Sequence, residues 1–152
     1  MIRGLQYLNH SRLDIANAVG IVARFQADPK EYHYATIKRI FRYLKGTSDY
    51  GIWYEKSNDF TLCTYTDADW AGDMDDRKST SGGAFFLGGR LVSWLSKKQD
   101  CTSQSTTEAK NVAAVNNCNQ VIWMKQMMKD IGITFKEPII IYYDNKSTIN
   151  MS

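Results

Sequence analysis

The sequence predicts an α/β (α+β) fold, a sheet flanked by helices and preceded by a two-helix segment. Three observations carry this expectation. Apolar residues recur at helical spacing over residues 11–47, the period changes to two from Tyr50, and helical spacing returns after residue 104, ahead of a short continuous apolar run ending at Tyr143. At 152 residues, with 43% hydrophobic and 23% charged content, the chain is long enough to bury a core. The boundary is expected near residue 48, with a helical segment over 1–48 and the sheet-bearing domain over 49–152.

The first element is SRLDIANAVGIVARFQ, where Ser11 suits an N-cap and Ile15, Val19, Val22 and Phe25 fall on one face. After Asp28-Pro29 the pattern repeats, with Tyr34, Ile37, Phe41 and Leu44 as the expected stripe and Gly46 placed to end the helix. From Tyr50 the runs GIWYEK, DFTLCTYTDADW and STSGGAFFLGGRLVSWLSKK predict an antiparallel meander of three or four strands, with Gly88-Gly89 as a hairpin turn. QSTTEAKNVAAVNNCNQVIWMKQMMKDIG returns to helical spacing, its buried face expected at Ala114, Cys118, Val121, Met124, Met128 and Ile131. EPIIIYYDN then reads as a strand, apolar enough to be central and covered on both faces, followed by the start of a last helix.

Composition excludes several classes. No run of about 18 apolar residues exists, so a membrane-spanning helix is not expected, and Asp14 and Asn17 interrupt what would be a signal-peptide core. Cys63, Cys101 and Cys118 form no CxxC pair, which favours buried reduced thiols over a disulfide framework or a zinc site. The charge is uneven: residues 1–47 carry eight Lys/Arg against three acids, the remainder eleven against thirteen. Lys38, Arg39, Arg42 and Lys45 suit either a nucleic-acid backbone or a solvated helix face. Trp53, Trp70, Trp94 and Trp123 read as core or edge packing, His10 and His33 as structural, and Asp73, Asp75 and Asp76 with Arg77 and Lys78 as a solvated turn.

Two carboxylates bear on chemistry. Asp67 ends LCTYT and Asp144 ends IIIYY, so if those strands are neighbours both emerge at one edge of the sheet. Paired Mg²⁺ ions need such an arrangement for phosphodiester hydrolysis. An Asp after a strand also serves as a turn or N-cap residue, and Asp144 with Asn145 could cap a following helix.

The run YTDADWAGDMDDRKSTSGGAFFLGGRLVSWLSKKQ, the STTEA segment and IYYDNKSTI resemble the ribonuclease H domain of copia-type retrotransposon polyproteins. YLNHSRLDIANAVGIVARF and HYATIKRIFRYLKGT resemble the connection segment before it. The resemblance implies a ribonuclease H-like mixed sheet and Mg²⁺-dependent cleavage of RNA in an RNA/DNA hybrid by four carboxylates. Carried over by position, Asp67 corresponds to the first metal-binding acid and Asp144 to the third. The second, a glutamate opening the long helix, falls on Lys110, with Asn111 in place of the aromatic that follows it. Glu108 is a possible weak substitute, but two residues along a helix turn a side chain by about 200°. The fourth acid of the family pattern lies beyond residue 152, so the domain reads as truncated at its C-terminus, with a partly uncovered sheet and marginal stability.

An ammonium at the metal position repels each unit charge by about 3 kcal/mol at about 5 Å and an effective dielectric of about 20, and a divalent ion by about twice that. The expectation is a vestigial site at Asp67 and Asp144 with no bound cofactor, Mg²⁺ serving only if activity remains and Lys110 swings out to solvent. The expected partners are an RNA/DNA hybrid, held weakly, or a host protein, and no membrane. An intracellular location is the first expectation.

The chain is also similar to copia-like proteins catalogued as secreted RxLR-type effectors of downy mildew pathogens. That likeness implies secretion, delivery into the host cell or its nucleus, and suppression of plant cell death through protein interaction. The tetrapeptides RGLQ (Arg3–Gln6) and RYLK (Arg42–Lys45) approach the motif but lack its final arginine, and no acidic segment follows either.

Overall fold

The computed structural model describes residues 1–135 and 138–144. The chain divides into two compact units, Met1–Trp53 and a second that begins at Tyr54.

The first unit contains α1 (Ile2–Leu8), a 3₁₀ turn (Leu13–Ile15), α2 (Ala16–Ala23) and α3 (Glu31–Gly46). Its core joins Leu5, Ile15, Val19, Val22, Ile37 and Ile40. Burying each of these aliphatic side chains stabilises by roughly 1.5–3 kcal/mol relative to exposure. His33 is structural, as expected. Its Nδ1 accepts the Lys30 N–H at 3.0 Å, closing the first turn of α3, and its ring stacks on Phe25 with centroids 4.2 Å apart. At the other end the Arg12 guanidinium donates to both Asp14 oxygens and to the Thr47 carbonyl, while the Tyr43 hydroxyl donates to Asp14. The Arg12 hydrogen bonds hold the Asp14 pKa down at about 2.

Two expectations fail here. Helix α1 was not anticipated, although Ile2, Leu5 and Leu8 are spaced for it, because seven residues give only two turns of pattern. On α3 the buried face is His33, Ile37 and Ile40, whereas Tyr34 and Phe41 are exposed. Leu44 stays half-buried. The aromatic side chains suggested a stripe rotated toward solvent, and the polar-looking His33 concealed the true one.

Among the described residues, the second unit holds a four-stranded mixed sheet in the order β3-β2-β1-β4. Strands β1 (Leu62–Ala68), β2 (Thr80–Leu87) and β3 (Arg90–Lys98) form the antiparallel meander, and β4 (Ile140–Tyr143) runs parallel to β1. Gly88 and Gly89 make the β2–β3 turn with φ of 56° and 76°, the left-handed pair that a two-residue hairpin of this hand requires. Arg90 donates to the carbonyls of Glu55 and Asp59, fastening the preceding coil to this hairpin. The 25-residue α4 (Thr106–Asp130) lies on one face of the sheet, its Val121 and Met124 packing with Leu62 of β1 and Phe85 of β2. At its start Ala109 and Ala113 pack on Ala68, and three side chains this small bring the helix close to the end of β1.

GIWYEK forms no strand, and its Trp53 is 85% exposed. Trp70 and Trp123 are exposed as well, and only Trp94 keeps the packing expected of all four. On α4 Val121, Met124 and Met128 are buried as expected, but in the first half of the helix Ala109, Ala113 and Asn117 replace Ala114 and Cys118 inside, and Ile131 is exposed. Strand β4 is not central. Among the described residues it pairs with β1 alone and its Ile140 and Tyr142 are exposed. Cys101 is exposed and Cys63 and Cys118 half-buried, so the thiols are free but none is fully buried as expected. The expected last helix and its Asn145 lie outside the described residues.

Asn117 reads as surface in the sequence yet is fully buried, its Nδ2 donating to Thr66 Oγ1 at 2.6 Å and to the Ala113 carbonyl at 3.0 Å. It fits because β2 carries Gly83 opposite; a Cβ there would lie 2.2 Å from Asn117 Oδ1. Gly83→Ala is therefore expected to destabilise the protein by about 1–3 kcal/mol in urea denaturation. Adding Asn117→Ala should recover part of that loss in a double-mutant cycle.

Candidate functional site

The site is built by register. Thr66 of β1 pairs with Tyr143 of β4 in parallel, so the next residues, Asp67 and Asp144, leave the same end of two adjacent strands. In β1 the buried positions Thr64, Thr66 and Ala68 face α4, and Asp67 alternates to the open face, with its side chain 70% exposed. Its Oδ1 accepts the Ala68 N–H at 2.8 Å, which fixes its rotamer.

The first turn of α4 supplies the third member. Ser105 caps the helix, its hydroxyl accepting the Glu108 N–H at 3.1 Å, and the Glu108 carboxylate turns back to accept the Gln104 N–H at 2.6 Å. Glu108 thus stabilises the helix start and is occupied there. One turn further in, Gln99 locks this end to the sheet: its Nε2 donates to Ser81 Oγ at 3.0 Å and to the Ala109 carbonyl at 2.8 Å, and Ser103 Oγ donates back to Gln99 Oε1 at 3.1 Å. All of these side chains are buried. Neither this network nor the alanine contact was anticipated from the sequence, since polar residues between two elements read as loop.

Held in this way, Lys110 reaches both carboxylates. Its Nζ donates to Asp144 Oδ1 in a short hydrogen bond and forms an ion pair with Asp67 Oδ1 at 3.3 Å. The hydrogen bond to Asp144 raises the Lys110 pKa above the ordinary lysine value, outweighing partial burial, and Asp67 adds to the effect. The lysine side chain is 14% exposed, so it does not swing out to solvent. Beside it the Tyr143 hydroxyl donates to Asn111 Oδ1 at 3.2 Å, a second tie between α4 and β4. Because both carboxylates are two-thirds exposed, the ion pairs themselves contribute at most about 1 kcal/mol.

A divalent metal does not fit this donor set. The point between Asp67 and Asp144 is taken by an ammonium, and among the described residues no group of three His, Cys, Asp or Glu side chains converges. Asp67 and Asp144 leave the ends of adjacent strands, and the cation between them is the chain's own Lys110.

The acidic turn after β1 is also held by a lysine. Lys98 Nζ contacts Asp73 Oδ2 at 2.6 Å and Asp76 Oδ2 at 2.7 Å, so this turn is clamped to β3 and is not simply solvated. Trp70 Nε1 donates to the Ser103 carbonyl at 3.1 Å, joining the same loop to the approach of α4. The Lys98 hydrogen bond lowers the Asp73 pKa to about 2 and lowers that of Asp76. A carboxyl depressed in the folded state stabilises above its unfolded pKa of about 4, and that contribution fades as pH falls toward 2. Lys98→Met is expected to move the acid-unfolding midpoint upward, measured by circular dichroism between pH 2 and 5.

No protein-family model matches the chain, and no solved structure matches it. Curated relatives do. It is 41% identical over 145 residues to the retrovirus-related Pol polyprotein from transposon RE1 of Arabidopsis thaliana, covering 95% of this chain and 10% of that protein. It is 43% identical over 142 residues to the corresponding polyprotein from transposon TNT 1-94 of Nicotiana tabacum, covering 93% and 10%. A Plasmopara viticola protein named Secreted RxLR effector protein 161 is 41% identical over 114 residues, 75% of this chain and 80% of its own length. The chain therefore spans about a tenth of the polyproteins it matches.

Proposed function

The chain belongs to the Pol polyproteins of copia-type retrotransposons, and from that premise we propose that it is a ribonuclease H-like module whose hydrolytic centre is closed by its own lysine. The observation supporting this reading is the Lys110 ammonium seated between Asp67 and Asp144. Hydrolysis of the RNA strand of a hybrid requires metal ions to activate water and stabilise the leaving oxygen. To enter, a divalent ion would have to expel a tethered cation that already satisfies both carboxylates. Glu108 does not offer a replacement ligand, since it caps α4. The test is cleavage of a labelled RNA/DNA hybrid in Mg²⁺ or Mn²⁺ by the wild-type chain beside Asp67→Asn. The expected result is no product from either, and wild-type cleavage abolished by Asp67→Asn would refute the reading.

A second reading rests on the Plasmopara viticola relative, 80% of whose length this chain matches. It makes the chain a secreted effector that acts in a host cell by binding a protein. RGLQ and RYLK, the nearest approaches to the motif, sit on α1 and α3. No described helix is long and apolar enough to cross a membrane. Fusion of the whole chain to a secretion reporter tests it: reporter in the medium supports export, and strictly cell-bound reporter removes this reading in favour of an intracellular one.

A further inference from the structure

The outer face of α3 remains outside the readings above. Ile37 and Ile40 commit one side of this helix to the core, and Lys38, Arg39, Arg42 and Lys45 are all exposed on the rest. Lys38, Arg42 and Lys45, spaced by four and three residues, share one stripe roughly 10 Å long. Tyr34 and Phe41, seven residues apart, share the stripe beside it and are 49% and 43% exposed. The Lys38 ammonium lies 4.5 Å from the centroid of the Tyr34 ring, so cationic and aromatic groups are already in register. None of the four cations is ion-paired among the described residues. The one acid along this side of the helix is Glu31, in its first turn.

We propose that this face of α3 is a docking surface for single-stranded nucleic acid, the Lys38, Arg42 and Lys45 stripe tracking phosphates and the Tyr34 and Phe41 stripe offering faces for bases to stack on. A stripe of roughly 10 Å spans about three phosphates at stacked spacing. Aromatic side chains flanking a cationic track suit exposed bases, which a duplex hides within its stack. A lipid surface fits less well, because the apolar face that would insert is the one packed on Val19 and Val22. The inference concerns the first unit alone and does not depend on the state of the Asp67 and Asp144 site.

Fluorescence anisotropy with labelled dT12, U12 and a 12-base-pair duplex tests it, using the full chain. Neutralising about three phosphates on a single strand predicts about a 20-fold loss of affinity between 50 and 200 mM KCl. Lys38→Glu with Arg42→Glu should weaken binding at least 10-fold, and Tyr34→Ala or Phe41→Ala should each weaken dT12 and U12 by about 10-fold with the salt slope unchanged. Circular dichroism of each variant establishes folding, and Arg42→Gln, a milder change, should lower the salt slope by about 0.7. Tighter binding to the duplex, equal binding to polyglutamate, or indifference to the aromatic substitutions in folded variants would overturn the proposal.

Discussion

Replacing Lys110 by glutamate is expected to convert a chain indifferent to divalent metal into one that binds it. In the wild type the Lys110 ammonium contacts Asp67 and Asp144, so Mn²⁺ titrated to about 10 mM should give no saturable binding at this site, and chelation with EDTA should leave the melting temperature unchanged. Lys110→Glu removes the resident cation and adds a third carboxylate where α4 meets the two strand ends. Three oxygen donors with room for water suit a weak hard-cation site, with a Kd on the order of 10⁻⁴–10⁻³ M. At about 10 mM Mn²⁺ such affinity stabilises the variant by roughly 2 kcal/mol, or about 4–8 °C in melting temperature. Without metal the variant should melt below the wild type, because three neighbouring carboxylates repel. Lys110→Gln, which removes charge without adding a ligand, should show an intermediate response. Equal Mn²⁺ binding by the wild type and Lys110→Glu would show that the lysine does not exclude the ion.

The largest loss of stability at the site is expected from Gln99→Ala. Gln99 is the only described side chain that bonds Ser81, Ser103 and the Ala109 carbonyl together. Truncating it strands buried hydroxyl groups, each costing roughly 1–3 kcal/mol, and opens a polar void. A total of about 3–4 kcal/mol is expected in urea denaturation at neutral pH, with an unchanged m-value marking a true loss of stability. Because this network fixes the start of α4, the Lys110 ammonium should also lose its place. Heteronuclear NMR of the lysine side chains would register this as a shift of the Lys110 signal toward that of a solvated lysine, whereas Ser103→Ala should produce a smaller change of the same sign.

Local chemistry accounts for what the sequence disclosed. The Gly88-Gly89 turn, the meander it closes and the long helix α4 all rest on residues adjacent in the chain, and the strand-end positions of Asp67 and Asp144 follow from strand registers that their apolar runs define. Where a polar residue is satisfied by a partner far away in sequence, the pattern misleads. Asn117 and Gln99 look like surface residues until Thr66 and Ser81 are brought to them. His33 did the same on α3, turning the expected stripe toward Tyr34 and Phe41. The run GIWYEK has strand-like side chains but finds no neighbouring strand among the described residues. Lys110 stands out in the sequence through the family resemblance, which implies a glutamate at that position. Its pairing with both acids needed three dimensions, because repulsion from an absent ion can be stated from sequence while attraction to two present carboxylates depends on where α4 begins.

The packing of Ala68 against Ala109 and Ala113 has a consequence at the level of the gene. These small side chains and the Gln99 network set the distance from α4 to the strand ends whatever residue follows Ala109. Both lysine codons differ from the corresponding glutamate codons at the first base alone. A single transition there would reverse the charge between Asp67 and Asp144 with no rebuilding of the backbone. The scaffold and the charge of this site are therefore set by different residues, and the charge is the part that one mutational step can exchange.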